Sequence, residues 1–316
     1  MAGNKPDVGD VHVDALLTNL SIGYVNDEYV ADSIFPIIGV GKQSDLIAVY
    51  NKSDWLRDEM GLRAPGTEAR EAGWGVTNTA TYFCQSYALR KSIPDEVRAN
   101  ADAPYDMDRD AVKFLTEQAL IRRERQFATT VNSTSAWTTS TTVGVKWSDF
   151  ANSDPVNDIF TGNRVVQQLI GRKCNALVMG QIVFDRLRLH PDFMELVKYT
   201  TTNNVPTADQ MGKVLDIDNI FIIRAIYESA VEGATSSLAA IWDDDAVLLY
   251  VPNAPSLMTP AAGYMFVWKP LVGGGPQYIR RYRSEAKSTD YIEIRSYFDV
   301  KITSADAGVI WADCVD

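Results

Sequence analysis

The sequence predicts an α+β fold in which one long helix lies among extended segments. Apolar residues recur at helical spacing in residues 106–131, and residues 154–200 alternate helix and strand patterns. The last quarter of the chain alternates apolar and polar residues, as strands do. Hydrophobic residues make up 46% and charged residues 22% of the 316 residues, which excludes disordered and collagen-like classes. This length predicts two domains or one elaborate domain.

Charge and cysteine content exclude further classes. The 30 basic and 41 acidic residues give a net charge of −11, which argues against a protein that wraps nucleic acid, because such proteins neutralise phosphates with Lys and Arg. The three cysteines are widely spaced and predict buried thiols rather than disulfides or a zinc site. No stretch approaches the roughly 20 apolar residues of a membrane span, and the N-terminus lacks a signal-peptide pattern. We expect a soluble protein made in the cytoplasm.

The first 90 residues predict elements that need a partner surface. Residues 1–38 contain a short predicted helix, Asp14 to Leu20, followed by apolar residues without a helical period, which indicates an arm. Residues 46–50 predict a strand and residues 76–89 its returning partner, while residues 51–73 between them carry nine charges of nearly balanced sign. Because an isolated two-stranded ribbon is marginally stable in water, this finger is expected to lie on another surface.

The clearest helix runs from Asp106, a predicted N-cap, to Val131. Its apolar stripe consists of Met107, Ala111, Phe114, Leu115 and Ala119. The Ser/Thr-rich residues 129–142 then predict a loop.

The α/β part begins with a helix from Asp154-Pro155 to about Arg172, a strand at residues 175–179 and a helix from Gln181 that His190-Pro191 breaks. Further predicted strands occupy residues 219–225, 237–242, 246–251, 264–269, 278–282, 291–304 and 308–314.

Four segments carry a family resemblance: DALLTNLSIGYVNDEYVADSIFP, WLRDEMGLRAPGTEAREAGWG, KSIPDEVRANADAPYDMDRDAVKFLTEQALIRRERQFA and CNALVMGQIVFDRLRLHPDF. Together they resemble the major capsid proteins of tailed bacteriophages (Caudoviricetes), which have the Hong Kong 97-type capsid fold. The resemblance covers most of residues 14–200, and the C-terminal strands fit it. It implies an N-terminal arm (1–38), an extended loop (39–89), a peripheral domain (90–152 and 271–316) with a spine helix (106–131), and an axial domain (153–270).

The resemblance also implies which residues meet other copies, because in that family the extended loop lies across a neighbouring spine helix. The expected extended-loop contacts are Arg57, Asp58, Glu59, Arg63, Glu68, Arg70 and Glu71. The expected arm contacts are Tyr24, Tyr29 and Phe35, and the expected surface of the spine helix is Arg122, Arg123, Glu124 and Arg125.

The function implied is self-assembly of hexamers and pentamers into the icosahedral head shell of a virion, made in the host cytoplasm. The shell would enclose double-stranded DNA without sequence-specific binding and would include a portal protein; decoration proteins are left open. Some relatives begin with a long scaffolding segment, whereas this arm starts near Met1, so we expect a separate scaffolding protein. One alternative is an encapsulin-like compartment. A more distant alternative is an α+β hydrolase or sugar-binding protein.

Motifs for chemistry are weak, and we expect no enzyme activity, cofactor or metal. His190 stands before a proline, and the chain has neither a GxSxG elbow nor an HExxH helix. Gly39 to Lys42 lacks the spacing of a phosphate loop. Residues 243–245, three aspartates, predict a solvated hairpin tip rather than a cation site. The arginines of residues 278–283 could bind nucleic acid, but pairing with carboxylates of this chain or a neighbour is simpler.

Overall fold

The computed structural model describes residue 26 and residues 28–101, 106–198, 205–255, 259–272 and 276–316; the predicted helix at residues 14–20 lies outside them. The helices are α1 (Ala31–Ile34), α2 (Lys52–Leu56), α3 (Asp95–Ala99), α4 (Met107–Val131), α5 (Pro155–Ile170), α6 (Gln181–Arg188), α7 (Pro191–Val197), α8 (Ala208–Leu215) and α9 (Lys269–Val272). The strands are β1 (Ile37–Val40), β2 (Ser44–Tyr50), β3 (Val76–Phe83), β4 (Gln85–Pro94), β5 (Thr139–Thr142), β6 (Ala176–Gly180), β7 (Asn219–Ile223), β8 (Ile226–Glu228), β9 (Leu238–Ala240), β10 (Ala246–Leu249), β11 (Gly263–Trp268), β12 (Gln277–Ser284), β13 (Thr289–Ile302) and β14 (Gly308–Ala312).

The first sheet is built around β13, a 14-residue strand that is mostly buried. Strands β4, β11 and β12 pair with it antiparallel, and β1 joins parallel to β11. The N-terminal half of α4 packs on this sheet because Ala111 and Leu115 meet Ile93, Ile292 and Ile294. The side chain of Asp106 accepts a hydrogen bond from the backbone N–H of Arg109, which confirms the predicted N-cap.

The second sheet has the strand order β5-β14-β10-β6-β7 and packs against α5, α6, α7 and α8. The pairing of both sheets crosses the predicted domain boundaries. Strands β5 and β14 belong to the second sheet, although residues 90–152 and 271–316 are predicted to form the peripheral domain. Strand β11 belongs to the first sheet, although it falls within residues 153–270. The domain division itself stays a prediction.

The C-terminal half of α4 joins the two sheets. Phe127 is fully buried, with the ring of Phe35 edge-on at 5.1 Å and that of Trp242 stacked at 6.1 Å. The same core contains Phe298 from the first sheet and Val247 from the second. One face of helix α4 is therefore buried along its length, by the first sheet in its N-terminal half and by both sheets in its C-terminal half.

Three features differ from the sequence prediction. Phe114, placed in the apolar stripe, is 52% exposed. Strand β5 lies within the predicted loop because it pairs in parallel with β14, a tertiary contact that local sequence does not encode. Helix α8, closed by a capping box between Thr207 and Gln210, was not predicted. The three cysteines are buried, as predicted.

Phe127→Ala should lower the free energy of unfolding by about 3–5 kcal/mol, because it opens a cavity between the two sheets. Phe114→Ala, on the same helix, should change it by less than about 0.5 kcal/mol, because that ring is half exposed. Urea denaturation of the unassembled chain measures both, and equal losses in the two variants would contradict the assigned core.

Candidate functional site: a projecting finger and a docked arm

Strands β2 and β3 form an antiparallel hairpin, the finger (residues 44–83), as the sequence predicted. Its neck is closed by three residues: the N–H of Asn51 donates to the carbonyl of Gly75 (3.1 Å), and the N–H of Gly75 donates to Oδ2 of Asp54 (2.9 Å). Beyond the neck the chain forms α2 and then an irregular segment. We call residues 53–74 the tip.

The tip carries large apolar side chains in solvent. Trp55 packs between Tyr50 and Trp74, with ring centroids 5.8 and 6.3 Å away. Met60 and Leu62 are 96% and 108% exposed. Trp55, Met60 and Trp74 line an open hollow of about 530 Å³ together with the neighbouring arginines. Only charged residues of this segment were predicted as contacts. The two nearby tryptophans were the sequence signal for an apolar surface.

The seven charged residues predicted to meet other copies lie in the tip. All are exposed except Glu59, which is partly buried. Arg57 pairs with Glu59 at 3.2 Å, and Nε of Arg63 donates to the carbonyl of Thr67. Among the described residues, the ion pairs and hydrogen bonds of the tip stay within the finger. Their role between copies stays a prediction.

The arm docks on its own spine helix. Tyr29 donates its hydroxyl to Glu117, and burial together with this hydrogen bond raises the pKa of Tyr29. Phe35 is fully buried against Phe127 of the same chain, which corrects its expected contact with a neighbouring copy. Tyr24 lies outside the described residues.

The predicted surface of the spine helix is half correct. Arg122 and Arg125 are exposed and stack on Tyr87 and Tyr227, with guanidinium carbons 4.7 and 4.0 Å from the ring centroids. Arg123 and Glu124, in contrast, are buried.

Arg123 and Glu124 are buried because they hold the arm. Arg123 pairs with Asp32 of α1, and the Glu124 carboxylate accepts the backbone N–H groups of Val30 and Ala31 at 3.3 and 3.0 Å. Burial raises the pKa of Glu124, although the two amide bonds act in the opposite direction.

His190 is a structural residue of the helix α7 terminus. Its Nδ1 accepts the N–H of Asp192 at 3.3 Å and lies 3.4 Å from Oδ2 of the same residue. Its Nε2 lies 3.1 Å from Oγ of Ser153, whose hydroxyl donates to the carbonyl of Asp149 at 2.7 Å.

The three aspartates at 243–245 do not form the predicted hairpin tip, because β9 pairs with β8 whereas β10 pairs with β6 and β14. Asp245 instead accepts the N–H of Asp313 at 3.1 Å, and burial raises its pKa. Within the described residues, no three His, Cys, Asp or Glu side chains are grouped to hold a metal ion.

The arginines of β12 pair within the chain, as the sequence analysis favoured. Arg280 binds Glu293 at 3.0 Å, and Arg283 binds Asp95 at 2.7 Å.

The described part of the chain contains no helix with the length and apolar content to cross a bilayer.

Comparison with known proteins agrees with this geometry. The chain is 27% identical over 308 residues to the major capsid protein of Burkholderia phage BcepMu, covering 94% of this chain and 95% of that protein. It is 26% identical over 244 residues to the major capsid protein of Pseudomonas phage JBD67, covering 75% and 77%. No protein-family model matches the chain.

Solved structures give the same fold. A phage-related protein from Bordetella bronchiseptica RB50 superposes with a TM-score of 0.71 at 20% identity, covering 96% and 97% of the two chains. The capsid of cyanophage P-SCSP1u superposes with a TM-score of 0.59 at 10% identity, covering 98% and 96%. The chain has the Hong Kong 97-type capsid fold. The resemblance to major capsid proteins of tailed phages is confirmed. An encapsulin from Synechococcus elongatus PCC 7942 shares this capsid fold at a TM-score of 0.51, 11% identity and 96% coverage of each chain.

The capsid fold should lose stability below about pH 6.5 through His190. Burial lowers the pKa of His190, so the unfolded chain binds more protons than the folded chain once the pH falls through the ordinary histidine pKa of about 6.5. The free energy of unfolding should then fall by up to about 1.4 kcal/mol per pH unit. His190→Gln removes this contribution, so the loss of stability between pH 7 and 5.5 should be smaller than in the wild type, as measured by urea denaturation at fixed ionic strength. Equal slopes in the two proteins would contradict the assigned neutral ring.

Proposed function

We propose that this protein is the major capsid protein of a tailed double-stranded DNA bacteriophage and assembles into its icosahedral head shell. The supporting observation is the likeness to major capsid proteins along nearly the whole chain, together with a finger whose apolar tip is exposed. A contiguous exposed apolar surface marks an interaction site. The role is structural, and no catalytic residue is assigned.

In the proposed assembly, copies form hexamers and pentamers, and the tip of one copy lies on the spine helix of the next. The acceptor is the exposed stripe of α4 at four- and three-residue spacing: Asp110, Phe114, Gln118, Arg122 and Arg125. Phe114 supplies the apolar centre for Trp55 or Trp74, and the charges of the tip surround that contact. Each contact is modest, and a closed shell sums many of them.

The remaining partners follow from the same proposal. The net charge of −11 suits a wall that encloses DNA without adsorbing it. Assembly in the host cytoplasm uses a separate scaffolding protein and incorporates a portal protein. Purified protein that forms shells of the correct size unaided would contradict the need for a scaffold.

An encapsulin-like compartment is the second candidate, favoured by the shared fold. Electron microscopy of particles from infected cells, combined with a nuclease-protection assay, separates the two candidates. A head shell contains nuclease-resistant double-stranded DNA, whereas particles that contain only protein cargo would support the compartment. A 35 kDa monomer that forms no shells beside a scaffold would contradict both.

Replacing both tip tryptophans should abolish assembly without unfolding the chain. Trp55→Ala with Trp74→Ala removes two exposed aromatic anchors, and loss of about 1.4 kcal/mol per contact already lowers association tenfold. Electron microscopy should show few or no shells, with an unchanged melting temperature before assembly. The matched variant with Phe at both positions retains apolar rings and should still form shells. Wild-type yields of shells from the double Ala variant would refute the proposed contact.

A further inference from the structure

The root of the finger is held to the body of its own chain. Strand β3 ends at Phe83, whose N–H donates to Oδ2 of Asp299 at 3.0 Å. The ring of Tyr82 stacks on Phe266 at 4.7 Å. Cys84, which is fully buried, separates β3 from β4 and is the one residue between the hairpin and the first sheet. The finger therefore has a defined pivot.

A second attachment lies at the neck. Nζ of Lys52 is 2.7 Å from Oδ2 of Asp306, a residue 254 positions later in the chain. The other carboxylate oxygen of Asp306 accepts the hydroxyl of Thr138 at 2.7 Å, and the N–H of Thr138 donates to the carbonyl of Ala305 at 3.1 Å. Burial acts to raise the pKa of Asp306, but the hydrogen bonds from Lys52 and Thr138 outweigh it and hold the pKa below its usual range. The body thus presents a fixed, ionised carboxylate to the finger.

Lys52 is the outermost polar connection between finger and body among the described residues. It follows Asn51, which closes the neck with Gly75, whereas the polar contacts of residues 53–74 stay within the finger. The finger is therefore attached to its own body at its root and at Lys52, and the described polar contacts of the tip do not reach the body.

We propose that Lys52, Asp306 and Thr138 form an intramolecular catch that fixes the direction of the finger before assembly. This inference rests on the proposed function. A two-stranded ribbon held only at its root has orientational freedom that it must lose on docking, and that loss opposes association. The catch removes part of this freedom in advance and so speeds capture of the tip by a neighbour.

Charge reversal tests the catch. Lys52→Asp and Asp306→Lys each place like charges at the neck, and the double exchange restores an ion pair of opposite polarity. Because an exposed ion pair contributes only modestly to stability, each single variant should speed hydrogen exchange at the amides of Asn51 and Gly75 by about two- to fivefold. Each should also slow scaffold-assisted shell formation, followed by light scattering. The double variant should recover both the exchange rate and the assembly rate. Because Lys52 is about half exposed, Lys52→Asp should still fold and tests the catch even if Asp306→Lys folds poorly.

The matched control is Lys42→Asp, which breaks the ion pair between Lys42 and Asp45 (2.9 Å) near the start of the finger. This pair does not involve Asp306. It should leave neck exchange and assembly rate unchanged. Wild-type exchange in Lys52→Asp, or assembly as fast as or faster than wild type, would overturn the catch while wild-type shells still form. If wild-type chains form no shells, the proposed function fails, and the exchange measurement alone then decides whether the neck is held.

Discussion

The packing of Phe127 between the two sheets is the contact on which the rest of the structure depends. It brings α4, α1 and strands of both sheets into one core, with Phe35 and Trp242 against its ring. Burying an aromatic ring on all sides leaves little freedom in the angle between these elements, because protein interiors are close-packed. The described body has its own core, whereas the tip of the finger keeps Trp55, Met60 and Leu62 in solvent.

Among the described residues, the most exposed large apolar side chains, Met60 and Leu62, lie in the tip, although the body also exposes Val231 and Leu238. Buried carboxylates such as Glu124 and Glu293 are satisfied inside the chain, by backbone amides or by arginine. In the tip, Arg57 pairs with Glu59, and exposed ion pairs contribute little to association. Trp55 and Leu62, in contrast, stay exposed to solvent within the single chain. Burying them requires a second molecule, and the charges of the tip can set the orientation of that molecule.

Local signals in the sequence predicted the elements but not how they pack. The Asp106 cap, the finger hairpin and most strands depend on neighbours in sequence, and the structure contains them. Phe35 was expected to meet another copy, and Arg123 and Glu124 were expected at the surface. These residues are buried because α1 folds back onto α4, a contact about 90 residues apart in sequence. Spacing along one helix cannot report such a partner. The contact of Lys52 with Asp306 could not be predicted from the sequence either, because the two residues are 254 positions apart.

A body with its own core leaves the tip to be buried by another copy. Cryo-electron microscopy of assembled particles shows whether it is. Trp55 and Trp74 should be buried against α4 of a neighbouring subunit, while Phe35 and Glu124 keep their contacts within the chain. Tips that remain in solvent in a closed shell, or a shell held together without any contact from residues 53–74, would contradict it.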